Sequence, residues 1–284
     1  MSPRLINIII FILYYIMTNK LIVTHNAGFF SCCTIRLFKI IEYMKKYKKT
    51  PDIIDSTKQF LNYKTRQQKN LDISPHFFNL NKFINIKEIN ILLTSDSREL
   101  QFSNYKLINF YQSKPLIDKY FGPSIKIKEK ISMIEEKYRI NYEKILAVYY
   151  RSTDKSVETN IPSIETIINK ISEVKKINPE LQILYMTDDL NSKKRIRNQF
   201  KNVITIDEVD KHYSRSYDHA QWFMSSMIVM SKAHSIITTS GNVSNWMVFY
   251  RNNSKNIYQY LSPKKYISGK KNKSYDPNQQ DFWL

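Results

Sequence analysis

The chain alternates between two hydrophobic rhythms, one of strands and one of helices. Ile145 to Tyr150, I-L-A-V-Y-Y, is apolar or aromatic at every position. That predicts a strand covered on both faces of a parallel sheet. Beyond Pro162, residues Ile164, Ile167, Ile168, Ile171 and Val174 repeat with helical spacing, with the proline near the first turn. Leu181 to Met186, Val203 to Ile206, Ser235 to Thr238 and Ile257 to Leu261 predict further strands. Ser192 to Phe200, Ala220 to Met230 and Ser244 to Tyr250 predict helices between them. Such alternation implies right-handed βαβ units around a parallel sheet, an α/β fold.

The first half follows the same logic less regularly. Leu21 to Thr24 predicts a strand, His25 to Ser31 a loop, and Thr34 to Tyr47 an amphipathic helix. Ile53-Ile54 and Ile89 to Leu93 look like further strands. Residues 61 to 88 and 103 to 125 are rich in Tyr, Asn and Lys, which predicts long loops or small helices. A helix from Ile125 to Glu143, with Ile127, Ile131 and Ile134 on one face, links the halves, and the boundary falls near Asn141. The expected organisation is an apolar extension or weak anchor at 1–19, then Rossmann-like domains at 20–140 and 141–284. The basic tail after Pro263 ends in Phe282, Trp283 and Leu284, expected to dock on the body.

Composition narrows the class. A chain of 284 residues that is 42% hydrophobic and 13% aromatic can bury one large or two ordinary cores, which excludes a mainly disordered protein. The net charge of +19 invites a nucleic-acid partner. The excess is lysine scattered along the chain, beside abundant Ile, Asn and Tyr, all encoded by A/T-rich codons. No zinc-ligand spacing, arginine-rich block or aromatic RNA-binding signature accompanies it. A solvated basic surface is expected, with no nucleic-acid partner and with peripheral attraction to membrane headgroups as a side effect. The cysteines, Cys32 and Cys33, are adjacent and form no disulfide framework, which points to a cytoplasm-like reducing compartment. Residues 5–17 form an apolar run after Arg4, short of the roughly 20 needed to span a bilayer. A signal segment, a short anchor, or a non-native extension ahead of Met17 are the alternatives.

The chemistry gathers at strand ends. Arg151-Ser152-Thr153-Asp154-Lys155 follows the strongest strand, where ligands bind in open α/β sheets. A guanidinium there can fork onto two phosphate oxygens, whereas a plain surface turn would leave the same charges solvated. Two of four glycines, Gly28 and Gly241, fall in strand-to-helix turns. In the second turn, Thr239-Ser240-Gly241-Asn242-Val243-Ser244, free N–H groups at the helix start accept an anion, or serve simply as caps. Asp188-Asp189 ends another strand, as a metal-binding pair or as caps of the next helix. Glu158 is the candidate general base on the loop after Lys155. His25 is the one histidine at a strand end, and the histidines show no metal spacing.

Taken in order, Tyr149-Tyr150-Arg151-Ser152-Thr153-Asp154-Lys155, Tyr185-Met186-Thr187-Asp188-Asp189 and Ser231-Lys232-Ala233-His234-Ser235-Ile236-Ile237-Thr238-Thr239-Ser240 resemble the donor half of GDP-fucose-dependent fucosyltransferases. The α1,6-fucosyltransferase and nodulation-fucosyltransferase group is nearest, with O-fucosyltransferases as relatives. The turn from Asn26 to Cys33 is similar to that superfamily's first glycine loop. The resemblance implies a GT-B architecture, two Rossmann-like domains facing across a cleft. The first domain would be acceptor-side and the second would bind the nucleotide sugar. It implies an inverting transferase without metal or cofactor, acting on a glycan, glycoconjugate or protein acceptor. Arg151 matches the family's diphosphate arginine. Asp154 and Lys155 match its loop, Asp188 and Asp189 its acidic strand end, and Thr239 to Ser244 its phosphate-and-ribose turn. Tyr149 and Ser152 stand where the family has a histidine and a second arginine. Glu158 is offset by one position from the family's glutamate, and the late helix lacks its guanine-binding acid. Rival readings are a metal-dependent transferase using Asp188 and Asp189, and a non-catalytic basic protein binding nucleic acid or carbohydrate.

Overall fold

The computed structural model describes residues 20–79, 100–153, 155, 158–210, 216–261, 266–267, 270–271 and 283–284. The apolar run at 5–17, the strand expected at Ile89 to Leu93, and Asp154 lie outside them. The chain opens with a parallel βαβ unit: β1 (Lys20–His25), α1 (Phe29–Tyr47) and β2 (Ile53–Gln59). Lys20 stands opposite Ile53 and His25 opposite Gln59, with a register shift between Ile22 and Thr24. Helix α1 begins earlier than Thr34, so the expected loop contracts to residues 26–28. Gly28 takes the N-cap position, and the otherwise orphaned Phe29 N–H donates to the Tyr63 hydroxyl at 2.8 Å.

Between the two sheets lie short 3₁₀ turns, a small antiparallel pair β3 (Phe78–Asn79) and β4 (Gly122–Pro123), and helices α2 (Phe110–Tyr120) and α3 (Ile125–Lys137). Helix α3 buries the expected face, Ile127, Ile131 and Ile134. It stops at Lys137, short of Glu143, because Arg139 adopts a left-handed φ of 51°. The Ile140 amide then reaches the Glu135 carbonyl and the Arg139 amide the Glu136 carbonyl, closing the helix in a Schellman motif.

The second sheet has strand order β6-β5-β7-β8, all parallel: β5 (Ile145–Tyr150), β6 (Gln182–Thr187), β7 (Ser235–Thr239) and β8 (Ile257–Tyr260). Helices α4 (Ile164–Ile177), α5 (Leu190–Gln199), α6 (Asp207–Asp210), α7 (Tyr217–Ser231) and α8 (Asn242–Arg251) connect them. All six residues of β5 are buried, as its unbroken apolar run requires. Leu146, Val148 and Tyr150 pack with Ile167 and Ile171 of α4 on one side. Ile145, Ala147 and Tyr149 join α7, α8 and α1 on the other. Each fully buried aliphatic side chain contributes about 1.5–3 kcal/mol, so burial on both faces stabilises β5 strongly. The expected strand at Val203 to Ile206 reduces to one bridge, Ile204 against Leu184, because the chain turns into α6 immediately afterwards.

The core that covers the inner face of this sheet is continuous with that of the first βαβ unit. Trp246 of α8 is fully buried, donates to the Thr34 hydroxyl of α1 at 3.0 Å, and lies 4.6 Å from the Phe121 ring. At the chain end Trp283 pairs with Tyr260 and the Leu284 amide donates to the Gln259 carbonyl, so the last two residues dock as expected. Cys32 and Cys33 are buried free thiols. Among the described residues no helix is long and apolar enough to cross a membrane.

Candidate functional site

Strand alternation decides what β5 presents beyond its end. Tyr149 faces the inner core, and Arg151, two residues on, keeps that side. Met186 of β6 faces the same way, so Asp188 meets Arg151, with Asp188 Oδ2 3.8 Å from Arg151 Nε. These side chains line a cavity of about 440 Å³ at the carboxyl edge of the sheet. Its wall is completed by Gly28 to Ser31 at the start of α1, Asn62 and Tyr63 after β2, and Gln101. Thr153, Lys155 and Glu158 after β5, Val209 of α6, His219 and Phe223 of α7, and Asn242 and Val243 of α8 close it.

Asp188 holds the loop after β5 in place. Its Oδ1 accepts the Ser152 amide at 2.9 Å, and its Oδ2 accepts the Thr153 hydroxyl at 2.5 Å and the Thr153 amide at 3.4 Å. Asp189 caps α5, accepting the amides of Asn191 and Ser192 at 2.9 and 3.2 Å. Asp189 thus takes the capping role, whereas Asp188 braces the loop after β5 and caps no helix. Among the described residues no group of three or more His, Cys, Asp or Glu side chains could hold a metal ion.

Lys155 is buried, its side chain only 7% exposed. Its ammonium pairs with Glu158, sits 2.8 Å from Gln101 Oε1 and lies 5.2 Å from the centre of the Phe102 ring. Glu158 is half exposed at the cavity wall. His219 and Phe223, one helical turn apart, present stacked rings 6.0 Å apart, and Phe223 lies 5.4 Å from Phe30. Burial pushes the His219 imidazole below its usual range and keeps that wall neutral. His25 sits behind the wall, with Nε2 3.1 Å from the hydroxyl of Ser31.

The cavity gathers Gly28, Tyr149, Arg151, Lys155, Glu158, Asp188 and Asn242 from the expected site residues. Others stand elsewhere. Ser244 is fully buried and bonds the Thr239 carbonyl at 2.5 Å and the Thr238 hydroxyl at 2.6 Å, tying the turn to its helix. The Ser240 hydroxyl faces the Tyr260 carbonyl and Gln259, and Thr239 is buried in β7. Gly241, expected to offer its amide to an anion, donates it to the Tyr105 hydroxyl at 3.0 Å, and that hydroxyl donates back to the Gly241 carbonyl. Ser152 and Asp189 flank the cavity without lining it.

The aromatic wall was missed by sequence reasoning, although the i, i+4 spacing of His219 and Phe223 could have flagged a shared face. Gln101 carries no sequence signal, since it lies in a segment without periodicity. No protein-family model and no curated protein sequence matches the chain. Solved structures that share its fold include two of one fucosyltransferase. Crystals of NodZ α-1,6-fucosyltransferase soaked with GDP-fucose give a TM-score of 0.55 at 12% identity, covering 85% of this chain and 94% of that one. NodZ co-crystallised with GDP gives 0.53 at 13% identity, with the same coverage. The likeness is one of fold: a fucosyltransferase-like mixed α/β chain with parallel sheets, matched along most of its length.

Proposed function

We propose that this chain, built on a fucosyltransferase-like fold, is an inverting, metal-independent glycosyltransferase that takes its sugar from a nucleoside diphosphate. GDP-fucose is the donor we assign, and a glycan, glycoconjugate or protein hydroxyl the acceptor. One observation carries the reading: Arg151, Lys155 and Asn242 converge on a cavity at the carboxyl edge of a parallel sheet. The fold neighbours, NodZ crystals that were soaked with GDP-fucose or grown with GDP, support the choice of donor. In this reading residues 20–140 form the acceptor-side unit and 141–284 the donor-side unit of a GT-B pair.

The acceptor oxygen attacks the anomeric carbon opposite the diphosphate, and the carbon–oxygen bond to the phosphate breaks. Negative charge grows on the departing nucleotide, so a fixed guanidinium at Arg151 stabilises the transition state more than the bound donor. Glu158 takes the acceptor proton as general base. The hydrogen bonds that occupy Asp188 and Asp189 support a reaction without metal. A thermal-shift panel of GDP, UDP, ADP and GDP-fucose tests the reading. GDP at about a hundred times its Kd should stabilise the fold by about 2.7 kcal/mol. A panel in which no nucleotide raises the melting temperature sinks the proposal.

A further inference from the structure

We propose that Gln101 is a positioning residue of this site, whose amide oxygen holds Lys155 and Asn242 in register for the donor's diphosphate. The inference rests on the nucleotide-sugar reading above. Gln101 Oε1 accepts from Lys155 Nζ at 2.8 Å and from Asn242 Nδ2 at 3.2 Å. It thereby joins the loop after β5 to the first turn of α8, two segments 87 residues apart in the chain (242 − 155). Lysine has no acceptor, so the Gln101 oxygen must face it, and Asn242 must then turn its amide nitrogen toward that same oxygen. Asn242 Oδ1 is left to accept from the Thr34 hydroxyl at 2.9 Å, which in turn accepts from the Trp246 indole at 3.0 Å. The orientations of both amides are thus fixed from Lys155, while the Thr34 hydroxyl has a second acceptor for its one proton in the Phe30 carbonyl at 3.0 Å.

The backbone that presents Gln101 is itself anchored. Leu100 is buried, and the Ser103 amide donates to its carbonyl at 3.1 Å. Gln259 accepts the Tyr105 amide at 2.9 Å and donates to the Ser103 carbonyl at 2.9 Å, while the Tyr105 hydroxyl clamps Gly241. A buried ammonium needs acceptors to offset its lost hydration. Remove Gln101 and Lys155 loses the acceptor that ties it to Asn242, while its pairing with the half-exposed Glu158 leaves the ammonium less firmly placed.

Calorimetric titration of the full chain with GDP tests this in a double-mutant cycle. Gln101→Ala should weaken GDP about tenfold, and Gln101→Met, which keeps the bulk and removes the acceptor, should do the same. In a Lys155→Ala background the Gln101→Ala loss should shrink to about threefold or less, because its main route is gone. Wild-type affinity in Gln101→Ala, or equal losses in both backgrounds, overturns the positioning role while leaving the donor reading in place. Wild-type protein that ignores GDP overturns both.

Discussion

Arg151 shows how far a single residue can be argued from parity and chemistry. It follows a strand buried on both faces, two residues past Tyr149, and so emerges on the cavity side. It is not part of the core: its side chain is about a third exposed and meets Asp188 at 3.8 Å. Arg151→Ala should therefore lower kcat for transfer from GDP-fucose by about a hundredfold or more, the scale of losing one preorganised transition-state donor. The circular dichroism spectrum should keep its native shape. A variant with near wild-type turnover would remove Arg151 from the chemistry. The residue-scale reading was less informative at Gly241. There the sequence offered a free amide at a helix start, and the fold satisfied it with the hydroxyl of Tyr105, 136 residues away. Local spacing cannot announce a partner that distant.

At the scale of elements, the difference between capping and metal binding becomes measurable. Asp189 lies just beyond β6 and caps α5, taking two amides of the first helical turn. Asp189→Ala should cost about 1 kcal/mol of stability in urea unfolding, the usual loss of an N-cap. Transfer should persist in excess EDTA for wild type and variant alike. Abolished transfer in EDTA would return the metal reading to the front. Elements with strong periodicity were legible in advance. β5, α4, β6 and α7 stand within a few residues of their expected places, because their apolar positions repeat at the spacing that burial demands. Boundaries set by capping geometry were not. Helix α1 starts at Phe29 because of a tyrosine hydroxyl beyond β2, and α3 ends at Lys137 because Arg139 takes a backbone conformation that a non-glycine residue seldom signals. The helix Phe110–Tyr120, with Pro115 inside it, lies in a stretch whose composition predicts long loops or small helices but marks no bounds.

The whole molecule builds its site from both halves, which is why only the strand-end part could be read ahead. Arg151 and Asp188 sit beside recognisable strands, whereas Tyr63, Gln101 and the α7 rings reach the cavity through long-range packing. That packing also sets the response to acid. Burial holds His25, His76 and His219 below their usual range, so the folded chain resists protonating them. The unfolded chain takes up those protons near pH 6.5. It therefore binds more protons than the folded state just below that pH, and stability must fall as pH drops through that point. Asp55, held near a pKa of about 2 mainly by its hydrogen bonds to Thr57, gives up its contribution only at much lower pH, well outside this window. The melting temperature should thus decline from pH 7.5 to 5.5, and His219→Gln should flatten the decline. If His219→Gln leaves the slope of melting temperature against pH unchanged, the neutral buried histidine of the cavity wall is not its source.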